Sequence, residues 1–269
     1  MNAHKKWLWS GLAAGLLYAL IAYAPASWLA SGIAAASSGQ VLLAAPRGTV
    51  WDGSADVVLS GGEGSSGAVR LPGAMHWHIA PKWLGFDVQL AALCCTPTAS
   101  PVLLGLRADP FVDKLNVAWH FDALSLQLPA ELLAGLGAPW NTLQLMGELS
   151  LSSDKLAGVW SRAEGLTNIT GRASVQASHV ATALSTVRPL GSYRLSSTGA
   201  VMRLETLASA PAEAALILSG TGRIEQGRIS FLGEAQAASG REEALSNLLH
   251  IVGQWQPSTD GRSRSILKL

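Results

Sequence analysis

The chain has 269 residues, of which 49% are hydrophobic and 14% are charged, and its formal net charge is +1. This length suits one globular body of about 220 residues behind an apolar N-terminal segment. Nucleic-acid binding is excluded as a main role, because it needs a strongly basic surface that a near-neutral chain does not offer.

The first predicted element is an apolar helix over residues 7–24, with the sequence WLWSGLAAGLLYALIAYA. About 18 helical residues span roughly 27 Å, which is just enough to cross the core of a bilayer. Lys5 and Lys6 precede the helix and the next charge is Arg47. The positive-inside rule therefore predicts that residues 1–6 stay in the cytoplasm while the rest of the chain is exported. We predict an uncleaved signal anchor that spans the inner membrane once.

A cleaved signal peptide is the alternative interpretation of this segment. Ala22–Ala24 has the small-x-small pattern of a cleavage site, but Pro25 follows it, and proline there usually blocks cleavage. Ala34–Ala36 is a second candidate, although it lies far from the apolar centre of the segment. Beyond the anchor, we predict a juxtamembrane linker over residues 25–46 and a periplasmic β-rich domain over residues 47–269.

Short strands punctuated by glycine are predicted throughout the exported domain. The clearest strand carries Leu115, Val117, Trp119 and Phe121 at alternate positions, a period of two that places these side chains on one face. The apolar phase reverses after Phe121, which predicts a bulge or bend near Asp122. Because similar alternation recurs to the end of the chain, the predicted fold class is mainly β with an antiparallel sheet. Other strands are predicted around residues 54–59, 75–79, 86–93, 143–151, 174–176, 193–195, 201–207, 214–219, 228–237 and 262–269.

Two short helices are predicted to interrupt the strands. Residues 129–134 begin with Pro129, at an N-terminal position where its missing N–H costs nothing. The stretch Glu242–Val252 places Leu245, Leu248 and Leu249 on one face and has acidic residues in its first turn. A sheet with one apolar face must be covered by a second sheet, a helix or a ligand, and the sequence alone leaves these three open.

The sequence lacks the usual patterns of an enzyme or a cofactor site. Gly62–Gly67 spells G-x-G-x-x-G, but no helix follows to hold a pyrophosphate, so we interpret it as a loop. His76 and His78 lack a third ligand at a recognisable spacing, and we interpret them as solvent-facing neighbours of a buried Trp77. No nucleophile elbow, P-loop or zinc-protease motif occurs. We predict no enzymatic activity, no cofactor and no metal site.

The two cysteines, Cys94 and Cys95, are adjacent. Across a trans peptide their Cα atoms are about 3.8 Å apart, which falls short of the roughly 4.4–6.8 Å of ordinary disulfides. A strained vicinal ring or an intermolecular bond is conceivable in an oxidising compartment. We favour the simpler interpretation, two small residues of a strand or loop, because nothing basic nearby would activate a thiol.

Several motifs, taken in order, resemble those of a known family. The stretch Gly48–Ala55, GTVWDGSA, is similar to the G-T-x-W-x-G-x-A signature of type II secretion system protein N, also called general secretion pathway protein N. Trp77–Pro81, Leu136–Leu143, Gly191–Leu195 and the tail from Leu248 to Arg262 resemble its later elements. The residues that carry the resemblance are Gly48, Thr49, Trp51, Gly53, Trp77, Pro81, Gly191 and Tyr193.

The resemblance implies an inner-membrane protein whose body lies in the periplasm, as an accessory part of the machine that exports folded proteins through an outer-membrane secretin. The partners it implies are the lipid bilayer, the inner-membrane platform proteins and the secretin, which the chain would link as a scaffold. The family also resembles AsmA-type periplasmic proteins, whose curved sheets handle lipid. A lipid- or hydrophobe-binding module is therefore the alternative function.

The two functions differ in what they expect of the face that carries Leu115, Val117, Trp119 and Phe121. A scaffold should bury this face against its own sheet or against the helix Glu242–Val252. A lipid carrier should leave the face open, as a groove for its ligand.

For the signature itself we predict a folding role rather than a binding role, since buried aromatic residues more often belong to a core. Gly48 and Gly53 are expected to permit turn conformations that are closed to other residues. Trp51 is expected to pin the first strand onto the body. Thr49 and Asp52 are expected to bond to the backbone of the turn.

Overall fold

The computed structural model describes four α-helices, one 3₁₀ helix and fourteen strands. The described residues are 2–62, 67–92, 94–96, 101–109, 116–137, 140–161, 164–207, 214–225, 228–252, 254–257 and 263–268. The helices are α1 (Asn2–Ala22), α2 (Ala26–Ala36), the 3₁₀ helix (Ala130–Leu136), α3 (Trp140–Leu143) and α4 (Glu242–Val252). The strands are β1 (Val41–Gly48), β2 (Asp52–Ser60), β3 (Ala68–Lys82), β4 (Gly85–Ala92), β5 (Val102–Asp109), β6 (Asn116–Pro129), β7 (Leu145–Ser161), β8 (Gly165–Thr182), β9 (Gly191–Thr198), β10 (Val201–Leu207), β11 (Leu216–Glu225), β12 (Arg228–Ala237), β13 (Gln254–Pro257) and β14 (Ser263–Lys268).

The described strands form one open antiparallel sheet. Each strand from β1 to β12 pairs with the next strand along the chain, then β14 pairs with β12, and β13 lies outside β14. The two edges of the sheet are therefore β1 and β13. This arrangement confirms the prediction of a mainly β, antiparallel body with few helices.

The hydrophobic core is divided into two clusters. The N-terminal cluster consists of Ala26, Leu43, Ala55, Val57 and Trp77, with Leu29, Ala30 and Ile33 of α2 among the residues packed against it. The C-terminal cluster consists of Leu190, Ala215, Leu216, Ala235, Ala237, Leu245, Leu248 and Leu249. Helix α2 thus covers the first strands of the sheet, and α4 covers the last ones. Between the two clusters, the strands pack mainly against their neighbouring strands.

The apolar side chains of the sheet, which we call its inner face, can be followed from each cluster into β6. Residues that pair directly across two strands share a face. The register carries this face from Trp77 in the N-terminal cluster to Phe121 in β6. From the other end, the register connects Leu126 in β6 with Ala235 in the C-terminal cluster. The apolar phase of β6 reverses between Phe121 and Leu124.

Residues 25–46, which we predicted to be a linker, contain helix α2 and most of strand β1. The apolar side chains of α2 recur at Ala26, Leu29, Ala30 and Ile33, a spacing that forms one stripe along a helix. Burial of this stripe on the sheet holds the segment in place, so it is part of the packed body.

The irregularity predicted near Asp122 lies mainly in the neighbouring strands. Strand β6 keeps one register with β7 on both sides of Asp122. The pairing of β7 with β8 shifts instead, and Lys155 and Asn168 there have positive φ angles of 47° and 52°. The phase reversal itself is confirmed, since Asp122 is exposed between a half-buried Phe121 and a half-buried Leu124.

The predicted helices and the final strand are confirmed. Pro129 is the N-cap of the 3₁₀ helix, and α4 has the predicted bounds, with Leu245, Leu248 and Leu249 buried. Helix α1 covers most of the predicted anchor. Among helices of the described residues, none combines the length and the hydropathy that crossing a bilayer requires.

The interpretation of the two cysteines as ordinary small residues is wrong. Cys94 and Cys95 are joined by a disulfide bond, and Cys95 is buried. They lie in a tight turn after β4, where the N–H groups of Cys95 and Thr96 both donate to the carbonyl of Ala92. This turn brings the two sulfurs together although the residues are adjacent. Leu115 and the centre of the G-x-G-x-x-G stretch lie outside the described residues.

Replacing Leu249 by alanine is expected to lower the free energy of unfolding by about 2–5 kcal/mol, because the leucine is fully buried and leaves a cavity. Ile251→Ala on the same helix is the matched control, because that side chain is 54% exposed and should change stability by less than about 0.5 kcal/mol. Denaturant unfolding of the full chain in detergent measures both values. Equal losses for the two variants would show that α4 does not pack as described.

Candidate functional site

The signature forms a tight loop between β1 and β2. Gly48 has a φ of 85°, and a Cβ there would lie 2.5 Å from the carbonyl oxygen of Asp52. The Thr49 hydroxyl accepts a hydrogen bond from the Asp52 N–H at 3.1 Å and donates to the Asp52 carbonyl at 3.3 Å. The roles predicted for Gly48 and Thr49 are therefore confirmed. The Asp52 carboxylate instead lies 3.1 Å from the exposed His78 ring.

Trp51 attaches this loop to helix α1. Its indole N–H donates to the carbonyl of Ile21 at 2.8 Å, and the Val50 N–H donates to the carbonyl of Ala24 at 2.8 Å. Ile21 lies in the last turn of α1 and Ala24 lies two residues beyond the end of the helix. The two bonds therefore hold the C-terminal end of α1 and the residues that follow it. We predicted that Trp51 would pin the first strand onto the body. It fixes the end of α1 to the body instead.

Trp77 holds the same loop through hydrogen bonds from its indole ring. It is buried, and its indole N–H is shared between the carbonyls of Val50 at 3.1 Å and Thr49 at 3.3 Å. Gly53 lies flat against it, because a Cβ at Gly53 would be 2.5 Å from the Trp77 ring. The prediction that Gly53 permits an unusual turn is wrong, since its backbone is not left-handed and close packing is what requires glycine.

We call the Gly48–Gly53 loop, together with Trp77, the signature clamp. It is tied to β3 through the Ile79 N–H, which donates to the Trp51 carbonyl at 2.7 Å. The Trp51 ring also contacts Phe86 of β4, with ring centroids 6.2 Å apart. Pro81 pairs with Phe86 in register and is exposed. Six of the eight signature residues are thus gathered where α1 meets the sheet.

The other two signature residues lie far from the clamp, at the start of β9. Tyr193 is buried and donates from its hydroxyl to the carbonyl of Leu216 at 3.0 Å, and burial raises the pKa of its phenol. Gly191 packs against it, because a Cβ there would be 3.0 Å from the Tyr193 hydroxyl. A cleft of about 1790 Å³ lies beside them and is lined by Arg188, Arg194, Glu205 and Arg241, among others.

The apolar stripe of β6 lies on the inner face and is not fully covered. Val117, Trp119 and Phe121 are each half-buried, and the Trp119 and Phe121 rings meet edge to face with centroids 5.8 Å apart. Gly158 gives the Trp119 ring room to lie flat, because a Cβ there would be 2.6 Å from the ring. The N-terminal and C-terminal clusters do not include these side chains. Full burial, which we expected of a scaffold, is therefore not found.

The uncovered region extends over the middle of the inner face. Its side chains are apolar and half-buried or exposed, and the strands that carry them lie between the two clusters. The 3₁₀ helix packs against β2, β3 and β7, at the end of these strands that is remote from the clamp. We call the following residues the open face: Val117, Trp119, Phe121, Leu124, Leu126, Leu128, Leu149, Leu151, Trp160, Val175, Leu195 and Leu204.

The predicted solvent exposure of His76 and His78 on either side of a buried Trp77 is confirmed. The described residues contain no group of three or more metal-binding side chains. Sequence reasoning did not find the bond between Trp51 and α1, because nothing in the local pattern links positions 30 residues apart.

All eight signature residues lie within the part of the chain that matches a known family. The model of the family type II secretion system (T2SS), protein N, matches residues 39–264. The chain belongs to the type II secretion system protein N family. Neither a curated protein nor a solved structure matches the chain. Membership makes it an accessory component of type II secretion, associated with other components of that system and with the membrane.

Replacing Trp51 by phenylalanine is expected to keep the ring contact with Phe86 and to remove the hydrogen bond to Ile21. The loss should lower stability by about 1 kcal/mol, which is typical of one hydrogen bond. It should also speed amide exchange at Val50, whose N–H bonds the end of α1. Trp83→Phe is the control, since that side chain is 88% exposed. Unchanged exchange at Val50 in Trp51→Phe would contradict the clamp.

Replacing Gly53 by alanine is expected to lower the free energy of unfolding by about 1–3 kcal/mol, because the added methyl group overlaps the Trp77 ring. Gly67→Ala, in the connection between β2 and β3, is the control, since an added Cβ there meets no atom within 4 Å. Thermal unfolding of both variants measures the difference. A harmless Gly53→Ala would mean that the ring does not lie against this glycine.

Proposed function

We propose that this chain is a non-enzymatic assembly component of type II secretion, anchored in the inner membrane by residues 7–24 with its body in the periplasm. There it links the inner-membrane platform proteins with the secretin. The observation that supports the proposal is membership of the type II secretion system protein N family, in a body that is clamped to the end of an N-terminal helix.

Helix α1 supports the anchoring part of this proposal. Its large apolar residues are exposed on different sides of the helix, including Leu16 at 67% and Leu17 at 57%. A helix that is apolar on all sides needs a non-aqueous environment around it. Lys5 and Lys6 at one end and no charge before Arg47 give the orientation with the body outside the cytoplasm.

The open face is the surface that we assign to a protein partner. An edge of the sheet could also accept a strand, but both edges are interrupted. Strand β1 has a shift of register around Pro46, and β13 has only four residues and ends in Pro257. Docking on the open face is favoured over strand addition. Docking buries apolar area, whereas strand addition needs an edge strand with an uninterrupted row of backbone N–H and C=O groups.

The second candidate is a module that binds lipid or another hydrophobe on the open face. It is favoured by the same half-exposed Trp119 and Phe121, which a lipid carrier is expected to leave open. The 3₁₀ helix argues for a docked partner, because it packs at the end of the face that is remote from the clamp. A lipid that entered the face from the membrane side would find the far end of the face occupied by that helix and could not leave there.

In-cell photo-crosslinking tests the proposal and separates the candidates. A photoreactive residue replaces Trp119, and the matched control replaces His120, which is exposed on the opposite face of the same strand. Platform or secretin adducts from position 119 and none from position 120 are expected. Lipid adducts alone at position 119 would favour the second candidate. A third variant at Arg194 reports on the cleft beside Tyr193, and protein adducts there alone would move the interface away from the open face.

A further inference from the structure

The turn between β3 and β4 has a composition that its backbone does not favour. Lys82 and Gly85 pair with each other, so that only Trp83 and Leu84 form the loop. Leu84 has a φ of 63°, in the left-handed region that Gly, Asn and Asp fill most readily. Tight hairpin loops of this length prefer pairs such as Asn-Gly for this reason. The chain therefore accepts a strained leucine at this tip.

The same tip exposes its large side chains to the surroundings. Trp83 is 88% exposed, the highest value among the large hydrophobic residues of the described chain, and Leu84 is 45% exposed. Neither belongs to the N-terminal or the C-terminal cluster. A loop that only closed the hairpin would gain from polar residues at both positions. Strain at Leu84 together with the exposure of both side chains indicates a binding role.

The tip is linked to the end of helix α1 through Phe86 and Trp51. The Trp51 indole bonds the Ile21 carbonyl, and the Trp51 ring contacts Phe86, which is two residues from Leu84 along β4. The carbonyl of Leu84 also accepts a hydrogen bond from the Ala108 N–H at 2.9 Å, which fixes the loop to β5. The tip is therefore held at the side of the sheet where α1 leaves the body.

The charges at the base of the tip suit a membrane surface. Asp87 lies between two cations, 2.8 Å from Arg107 and 3.6 Å from Lys82. Lys82 and Arg107 therefore place two basic groups at the base of the apolar tip, with Asp87 between them. Basic groups beside tryptophan are typical of segments that enter the headgroup region of anionic bilayers.

We propose that Trp83 and Leu84 insert into the headgroup region of the bilayer that holds α1, and we call this tip the membrane foot. The inference rests on the anchoring of α1 proposed above and adds a second point of attachment. We assign a lipid surface as the partner of the tip for two reasons. The tip lies on the side of the body where α1 enters the membrane, and its tryptophan lies near two basic side chains. Two attachment points fix the tilt of the sheet above the membrane.

Fluorescence of labelled full chain in vesicles tests the membrane foot. Trp83→Cys carries an environment-sensitive dye, and the control Leu184→Cys carries it at an exposed leucine at the opposite end of the strands. Cys94 and Cys95 are bonded to each other and do not take the label. The vesicles are phosphatidylethanolamine with about one phosphatidylglycerol in four, which supplies anionic lipid. The expected result is a blue shift and quenching by nitroxides on the upper acyl chain at position 83 only.

Each other outcome overturns the inference in a distinguishable way. If both variants float with the vesicles and the dye at position 83 remains in water, the membrane foot is wrong while the anchor stands. If neither variant floats, the anchor fails and the foot with it. If the dye at position 83 is shielded from water only when other membrane proteins are added, the tip binds a protein and the lipid assignment is wrong.

A second variant tests whether the strain has a functional origin. Trp83→Asn combined with Leu84→Gly gives the loop its preferred residues, so the unfolding midpoint of the full chain in detergent should rise. Lys82→Ala, which leaves the loop unchanged, is the control. A lower midpoint for the double variant would mean that the two side chains stabilise the body, and it would remove the argument from strain.

Discussion

Burial of the inner face of the sheet against α2 and α4 is the interaction on which the rest of the structure depends. Each fully buried leucine or isoleucine contributes about 1.5–3 kcal/mol, so the two clusters supply most of the stabilisation at the ends. The strands between them are held by backbone pairing and by half-buried aliphatic side chains. The sheet is covered at its first and last strands and open at the strands between them. These middle strands, which include the one that carries Trp119, have room for a partner.

The signature residues become intelligible once their contacts are considered together. Gly48 permits the turn, Trp77 supports the loop, Gly53 makes room for the Trp77 ring, and Trp51 reaches the end of α1. Each of these residues is explained by its packing or its hydrogen bonds. Their common effect is to join an N-terminal helix to a sheet at a fixed angle. For a component of a membrane-spanning machine, that joint is a functional element even though each contact in it is structural.

The parts of the fold that rest on local pattern could be predicted from the sequence. The period of two in β6 and the apolar stripe of α4 are local, and both were placed correctly. Helix α2 was missed because its stripe of alanine, leucine and isoleucine is hidden in an apolar stretch that follows the anchor. The bond from Trp51 to Ile21 and the packing of Gly53 on Trp77 depend on contacts about 25–30 residues apart along the chain, which no local pattern encodes.

The clamp and the membrane foot together determine what the open face can meet. One attachment at the end of α1 would let the sheet swing about that point. A second attachment at Trp83 restricts the swing, because the hairpin is fixed to β5 and to the clamp. In the proposed arrangement the inner face keeps one orientation to the bilayer, with its far end, where the 3₁₀ helix packs, pointing away from the membrane. A surface held in this way favours a partner that is itself oriented by the membrane, and this is the reason for proposing the platform proteins as partners.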